Sequence, residues 1–154
     1  MGFDAKLEEL GLELPPAAKP VGAYKTVMTV GNMVYLSGHL PVAADGSLTK
    51  GRVETDDEVP AGYEAARQAG LMLLSTLREH LGSLDRVKRV VKILGMVASA
   101  PDFYGHPKVI NGCSELFAEV FGEEAGVGTR SAFGVAALPL GVIVEIEAIF
   151  EIES

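Results

Sequence analysis

The stretch "TRSAFGVAALPLGVIVEIEAIFEI", residues 129–152, decides how this chain is read. It holds two β-prone runs, 130–138 and 142–152, and the short "PLG" between them predicts a hairpin. In the second run Val142, Val144, Ile146, Ala148, Phe150 and Ile152 alternate with Ile143, Glu145, Glu147, Ile149 and Glu151. Side chains alternate across a strand, so one face is wholly apolar and the other acidic. In the first run Arg130 shares its face with Ala132, Gly134 and Ala136, all small. A sheet face so small and sparsely charged suits packing against another subunit, and a homo-oligomer is expected. In the hairpin register Glu145 lies five residues down the ladder from Arg130, roughly 16 Å at ~3.3 Å per residue, out of reach within one chain. Two readings of Arg130 follow. It meets Glu147 or Glu151 diagonally as a cross-strand ion pair, or it shares a pocket with Glu145 of a neighbouring chain.

Working outward, "VKRVVKILGMVAS" at 87–99 is β-branched and strand-like. Residues 60–81 form a helix: Pro60 suits its first turn, Asp56, Asp57 and Glu58 complement its dipole, and Gly82 caps it. Ala66, Ala69, Leu73, Leu77 and Leu81 make its core stripe. A second helix starts near Pro107, buries Ile110, Cys113, Phe117 and Val120, and stops at Gly122; its Gly112 allows close approach to a sheet. "YKTVMTVGNMVYLSG" is a hairpin about Gly31-Asn32, and 43–59 is a surface loop. The order β-β-α-β-α-β-β, with a short extra helix at 3–11, predicts one α+β domain over 1–154: a mixed sheet with two main helices on one face.

Thirteen basic residues face 21 acidic ones, a net charge of −8, which opposes nucleic-acid binding because phosphate neutralisation needs clustered Lys and Arg. Cys113 is the only cysteine and reads as a core thiol in a reducing compartment. "MGFDAKLEEL" has no apolar signal core, and the longest apolar run is broken by Gly134, Pro139 and Gly141. A cytoplasmic protein with no membrane partner is expected. His80 reads as a dipole partner at a helix C-terminus and His106 as a helix-flanking residue. No His/Cys spacing suggests a metal.

"GAY" (22–24), "GNMVYLSGHLP" (31–41), Asn111 in "NGCSELFAEVF", "TRSAFGVAALP" (129–139) and "VEIEAI" (144–149) come in one order. That ordered set resembles the RidA (reactive intermediate deaminase, or YjgF) family, some of whose members are described as endoribonucleases of the L-PSP type. The resemblance implies a chorismate-mutase-like fold, with a six-stranded sheet and two helices on one face, and a homotrimer with sites in the clefts between subunits. It also implies hydrolysis of 2-imino or enamine acids to 2-oxo acids and ammonia without a metal or organic cofactor. Arg130 then grips the carboxylate, as a planar guanidinium can bidentately, and Glu145 positions the attacking water. Tyr24, Ser37, Gly38 and Asn111 match pocket residues. The chain departs from the family pattern at Ala132 (for Cys), Gly128 and Ala23 (each for Pro) and His39 (for Gln), and it adds residues around "YGHPK" at 104–108. His39 and Ala132 are counted with the substrate-binding set. The alternative reading is a non-catalytic trimer that binds small carboxylates or acts as a chaperone-like partner. The acidic composition argues against an endoribonuclease.

Overall fold

A computed structural model describes residues 2–154. Helix α1 spans Phe3–Glu9, strands β1 and β2 span Val27–Val30 and Met33–His39, and helix α2 spans Val59–Leu81. Strand β3 (Val87–Ala98), helix α3 (His106–Gly126), strand β4 (Thr129–Val135) and strand β5 (Val144–Ile152) complete the chain. The fold is α+β: one mixed five-stranded sheet in the order β1-β2-β5-β3-β4, covered by helices. The implied sixth strand is absent from that sheet; around it are isolated bridges such as Lys50↔Val142 and Val53↔Ser99.

The terminal hairpin does not form. β4 pairs parallel with β3, and β5 pairs antiparallel with the other edge of β3, so β3 lies between the two runs expected to pair. The reason lies in connectivity: β3 and β4 are joined by α3, and a crossover helix lets two strands pair in parallel. Pro139–Gly141 forms a 3₁₀ turn with Leu140 at φ 59° and Gly141 at φ 74°, and the chain steps over the end of β3, where Ala98 N–H donates to the Ile143 carbonyl. The β1–β2 hairpin forms as expected, with Gly31 at φ 63° and Val30 paired to Met33.

The period-two pattern of β5 sorts its faces as read. Val144, Ile146, Ala148, Phe150 and Ile152 are buried against the helices with Val34, Ile93, Val97, Leu73, Ile110 and Phe117. Ile143, expected on the acidic face, precedes the strand and is buried. The register fixes the face of Arg130 too. Arg130 pairs with Ile93, Ala132 with Gly95 and Gly134 with Val97, so these residues lie on the helix side rather than on a face free to meet another sheet. The outer face instead carries Met28, Tyr35, Leu94, Met96, Phe133 and Ile149; Met28, Tyr35 and Phe133 are exposed, and nothing among the described residues covers them.

α2 stops at Gly82, which takes φ 84°. α3 runs past the expected stop: Gly122 breaks the helical backbone at φ 82°, but one more turn follows to Gly126. Gly112 approaches the other helix rather than the sheet, because a Cβ there would strike the Tyr63 carbonyl of α2. The close approach to the sheet is made at Gly95, over which Ile110 sits. Among the described residues no helix is long and apolar enough to cross a membrane. Gly112→Ala should therefore destabilise the protein by about 1–3 kcal/mol through overpacking, outweighing the helix-propensity gain of ~1 kcal/mol. A lowered urea midpoint at unchanged slope is the expected result.

Candidate active site

Arg130 stands at the start of the edge strand β4, and its exposed side chain leans toward α3. Its Nη1 donates to Asn111 Oδ1 at 2.7 Å and to Ser114 Oγ at 3.1 Å. Both partners are neutral. Among the described residues Arg130 makes no ion pair; Glu151, one of its expected diagonal partners, is held by Lys88 and Arg89 at 3.5 and 3.0 Å. The guanidinium is thus fixed by one edge, while Nε and Nη2 make no bond among the described residues. A fork held this way is ready to take a carboxylate bidentately. Ser114 was not singled out in the sequence, although its spacing of three from Asn111 puts both on one side of α3. Ala132 follows on the same face, half-buried and packed on the core.

A second set gathers where β2 meets β5. Leu36 pairs with Ala148 and His39 with Ile146, so β2 carries one extra residue in a bulge containing Ser37 and Gly38. The bulge brings Gly38 against the Glu145 carboxylate, which a Cβ there would displace. Ser37 Oγ donates to the Lys25 carbonyl at 2.6 Å, tying the bulge to the segment that carries the exposed Tyr24. Glu145 is half-buried, and burial first, then the neighbouring charge of Glu147, pushes its carboxyl above the usual range. A raised carboxyl beside an open face suits a group that takes up and returns a proton. On the same outer face a groove of about 460 Å³ runs between Lys25, Tyr35, Ser37, Lys92 and Glu147.

His39 does not join this set. The residue after the bulge points to the helix side, where it is 2% exposed. Its Nδ1 lies 2.6 Å from the Ser37 carbonyl, an acceptor only, so Nδ1 carries the proton. Its Nε2 lies 2.9 Å from Thr76 Oγ1, which in turn accepts from the Ala18 N–H at 3.2 Å. Burial lowers the His39 pKa, in keeping with a neutral ring that accepts from the threonine hydroxyl. The histidine braces the bulge from behind and offers no ring nitrogen to a ligand. Cys113 is fully buried, and burial pushes its thiol well up against the opposing pull of Arg130. His80 bonds Thr29 Oγ1 at 2.8 Å.

The two sets do not meet within one chain. Glu145 pairs with Met96 on the outer face, and Met96 pairs with Phe133, three residues beyond Arg130. Arg130 is therefore two strands away and three residues down, about 10 Å in each direction, with its side chain on the opposite side of the sheet. The chain presents two separate groups: Arg130, Asn111, Ser114 and Ala132 on the helix side of one edge, and Ser37, Gly38 and Glu145 on the outer face near the other.

A family model described as "YjgF/chorismate_mutase-like, putative endoribonuclease" matches residues 4–152. The chain belongs to the YjgF/RidA family. Protein TCP17 of Trypanosoma cruzi is 41% identical over 97% of this chain and 94% of its own length. A 2-iminobutanoate/2-iminopropanoate deaminase of Dermatophagoides farinae is 30% identical over 92% of this chain and 95% of its own. The crystal structure of a protein of unknown function from Agrobacterium tumefaciens shares 38% identity and a TM-score of 0.87, covering 98% of this chain and 94% of that one.

The raised carboxyl of Glu145 has a consequence for stability. An acid with a higher pKa folded than unfolded leaves the folded state holding more protons, so stability falls as pH rises from the ordinary glutamate range through the folded-state value. Glu145→Gln should raise Tm at pH 7, and the gain should vanish below the ordinary glutamate pKa. A gain independent of pH would contradict the assignment of buried charge to Glu145.

Proposed function

We propose that copies of this chain assemble, as a homotrimer, so that the Arg130 half-site of one copy faces the Glu145 half-site of the next, and that the shared cleft hydrolyses 2-imino acids and their enamine tautomers. The observation that carries this reading is the unpaired guanidinium of Arg130, braced by Asn111 and Ser114 with no carboxylate of its own. A 2-imino acid supplies that carboxylate next to an electrophilic C=N carbon. The apolar side chains exposed on the outer face, Met28, Tyr35 and Phe133, support assembly through that face. The names of family members, a 2-iminobutanoate/2-iminopropanoate deaminase among them, support the reaction class.

In the reaction, Arg130 holds the carboxylate and so orients the imine carbon. Glu145 takes a proton from water as the water oxygen adds to that carbon, giving a carbinolamine. Glu145 completes the carbinolamine by passing that proton to the imine nitrogen; it then takes the hydroxyl proton and hands it to the same nitrogen, the C–N bond breaks as the oxygen becomes a carbonyl, and Glu145 returns to its starting state. One water and one imine yield one 2-oxo acid and one ammonia. Ser37, Gly38 and Tyr24 shape the water side of the cleft, and the neutral Asn111 and Ser114 hold Arg130 without quenching its charge. Imine carbon is electrophilic by itself, so the step calls for no metal or organic cofactor.

Ala132 favours a second reading, a trimer that binds carboxylates without turnover, since a methyl stands where the family pattern has a thiol. The backbone of Ala132 remains able to contact a ligand. The two readings separate in a coupled assay in which an amino-acid oxidase generates the imino acid. The protein should speed loss of the imine, and Arg130→Ala should cut that rate on the order of 100-fold, because orientation of the reacting carbon is lost. Carboxylate binding without faster imine loss would support the second reading, and equal decay with and without protein would end the first.

A further inference from the structure

The β2 bulge holds a shape that a regular strand does not. Ser37 and Gly38 together stand opposite the single residue Glu147, and the surplus residue interrupts the ladder of sheet hydrogen bonds. Bonds from outside the ladder pin it instead. The Ser37 N–H donates to the Thr26 carbonyl at 3.0 Å, and Ser37 Oγ donates to the Lys25 carbonyl at 2.6 Å. The Ser37 carbonyl is taken by the Nδ1–H of His39, also at 2.6 Å, from the opposite face of the sheet.

Behind that third bond every proton has a determined place. A carbonyl only accepts, so Nδ1 is the protonated ring nitrogen and Nε2 must itself accept. Thr76 Oγ1, 2.9 Å away on α2, is the donor. The same hydroxyl receives the Ala18 N–H on a lone pair at 3.2 Å, which turns its own proton toward the ring. His39 and Thr76 are each 2% exposed, so solvent does not stand in for either partner when one is lost.

On the other side of the bulge lies the Glu145 carboxylate. Its Oε2, Cδ and Cγ are the three atoms nearest to the place a Gly38 Cβ would occupy. Among the described residues Glu145 makes no ion pair, so contact with the bulge sets how deeply its carboxyl sits. Gly38 follows Ser37 directly, and a shift of the Ser37 carbonyl moves Gly38 and the surface on which the carboxylate rests.

Resting on the deaminase reading, we infer that His39 and Thr76 are positioning residues for Glu145: the hydrogen-bonded pair holds the bulge from behind and so fixes where the carboxylate stands when it takes a proton from water. Neither side chain touches the substrate.

Four variants of the full chain test this. His39→Gln keeps a donor for the Ser37 carbonyl and an acceptor for Thr76, whereas His39→Leu keeps neither. Thr76→Ser keeps the hydroxyl, and Thr76→Val keeps the shape without it. In the oxidase-coupled assay the Leu and Val variants should lose about tenfold or more in kcat with KM changed less than about twofold, since misplacing a reacting group by ~1 Å costs up to ~100-fold. The Gln and Ser variants should stay within about threefold of the wild-type kcat. A second readout needs no turnover: carbon-13 NMR of the Glu145 carboxyl. Its titration should fall toward the ordinary glutamate range in the Leu and Val variants, as the carboxyl becomes less buried, and stay raised in the other two. The Thr76 pair decides the matter if His39→Leu does not fold. Unchanged kcat or an unmoved Glu145 titration in the Leu and Val variants overturns the inference and leaves the deaminase reading standing, as does equal loss in all four. The expected titration shifts in a protein whose wild type does not speed imine loss would overturn the deaminase reading and leave the bracing of Glu145 in place.

Discussion

Side chains on a β-strand alternate between its two faces, and this period decides what one copy of the chain can do. Register places Arg130 level with Ile93, among residues that face the helices, and Glu145 level with Met96, among residues that face away. A sheet lies between the two groups, and no rotamer change crosses it. The chemistry proposed for this family member therefore depends on an assembly, and two other features of the chain agree with that dependence. Met28, Tyr35 and Phe133 are left exposed on the outer face, and an arginine at an edge is braced by neutral acceptors instead of an acid.

Each of the two groups is built by a separate structural device. On the arginine side, the crossover from β3 through α3 to β4 lays Asn111 and Ser114 alongside the edge strand, and the hydrogen bonds of Nη1 fix the guanidinium plane. On the glutamate side, one extra residue in β2 turns Ser37 and Gly38 toward Glu145, and the missing Cβ of Gly38 lets the carboxylate settle there half-buried. His39 supports the bulge from the opposite face through Thr76. Partial burial beside Glu147 makes the ionised Glu145 carboxylate a cost to the folded state.

Much of this was legible in the chain before the structure. The alternation in 142–152 identified the buried face of β5, Gly31-Asn32 marked the first hairpin, and Gly82 marked the end of α2. What failed was adjacency. "PLG" between two β-prone runs read as a hairpin turn, but turn chemistry is local, whereas strand pairing depends on where a crossover helix delivers the chain. Once β3 is inserted between β4 and β5, the face of Arg130 changes: it and its small neighbours lie on the helix side of the sheet rather than on the outer face. His39 was misread for a similar reason: a bulge shifts the period by one, and no residue type announces it. Gly112 signalled a close approach without saying to which neighbour, and Ser114 gave no signal beyond helical spacing.

The central claim, that one working site takes Arg130 from one copy and Glu145 from another, has a direct test. Arg130→Ala and Glu145→Gln proteins, each inactive alone, are co-refolded in equal amounts and assayed for imine hydrolysis. A cleft between different variants can receive both native residues, so random mixing should restore activity to roughly a quarter of the wild-type value per site. A mixture of verified hetero-oligomers as inactive as its components would contradict the split site.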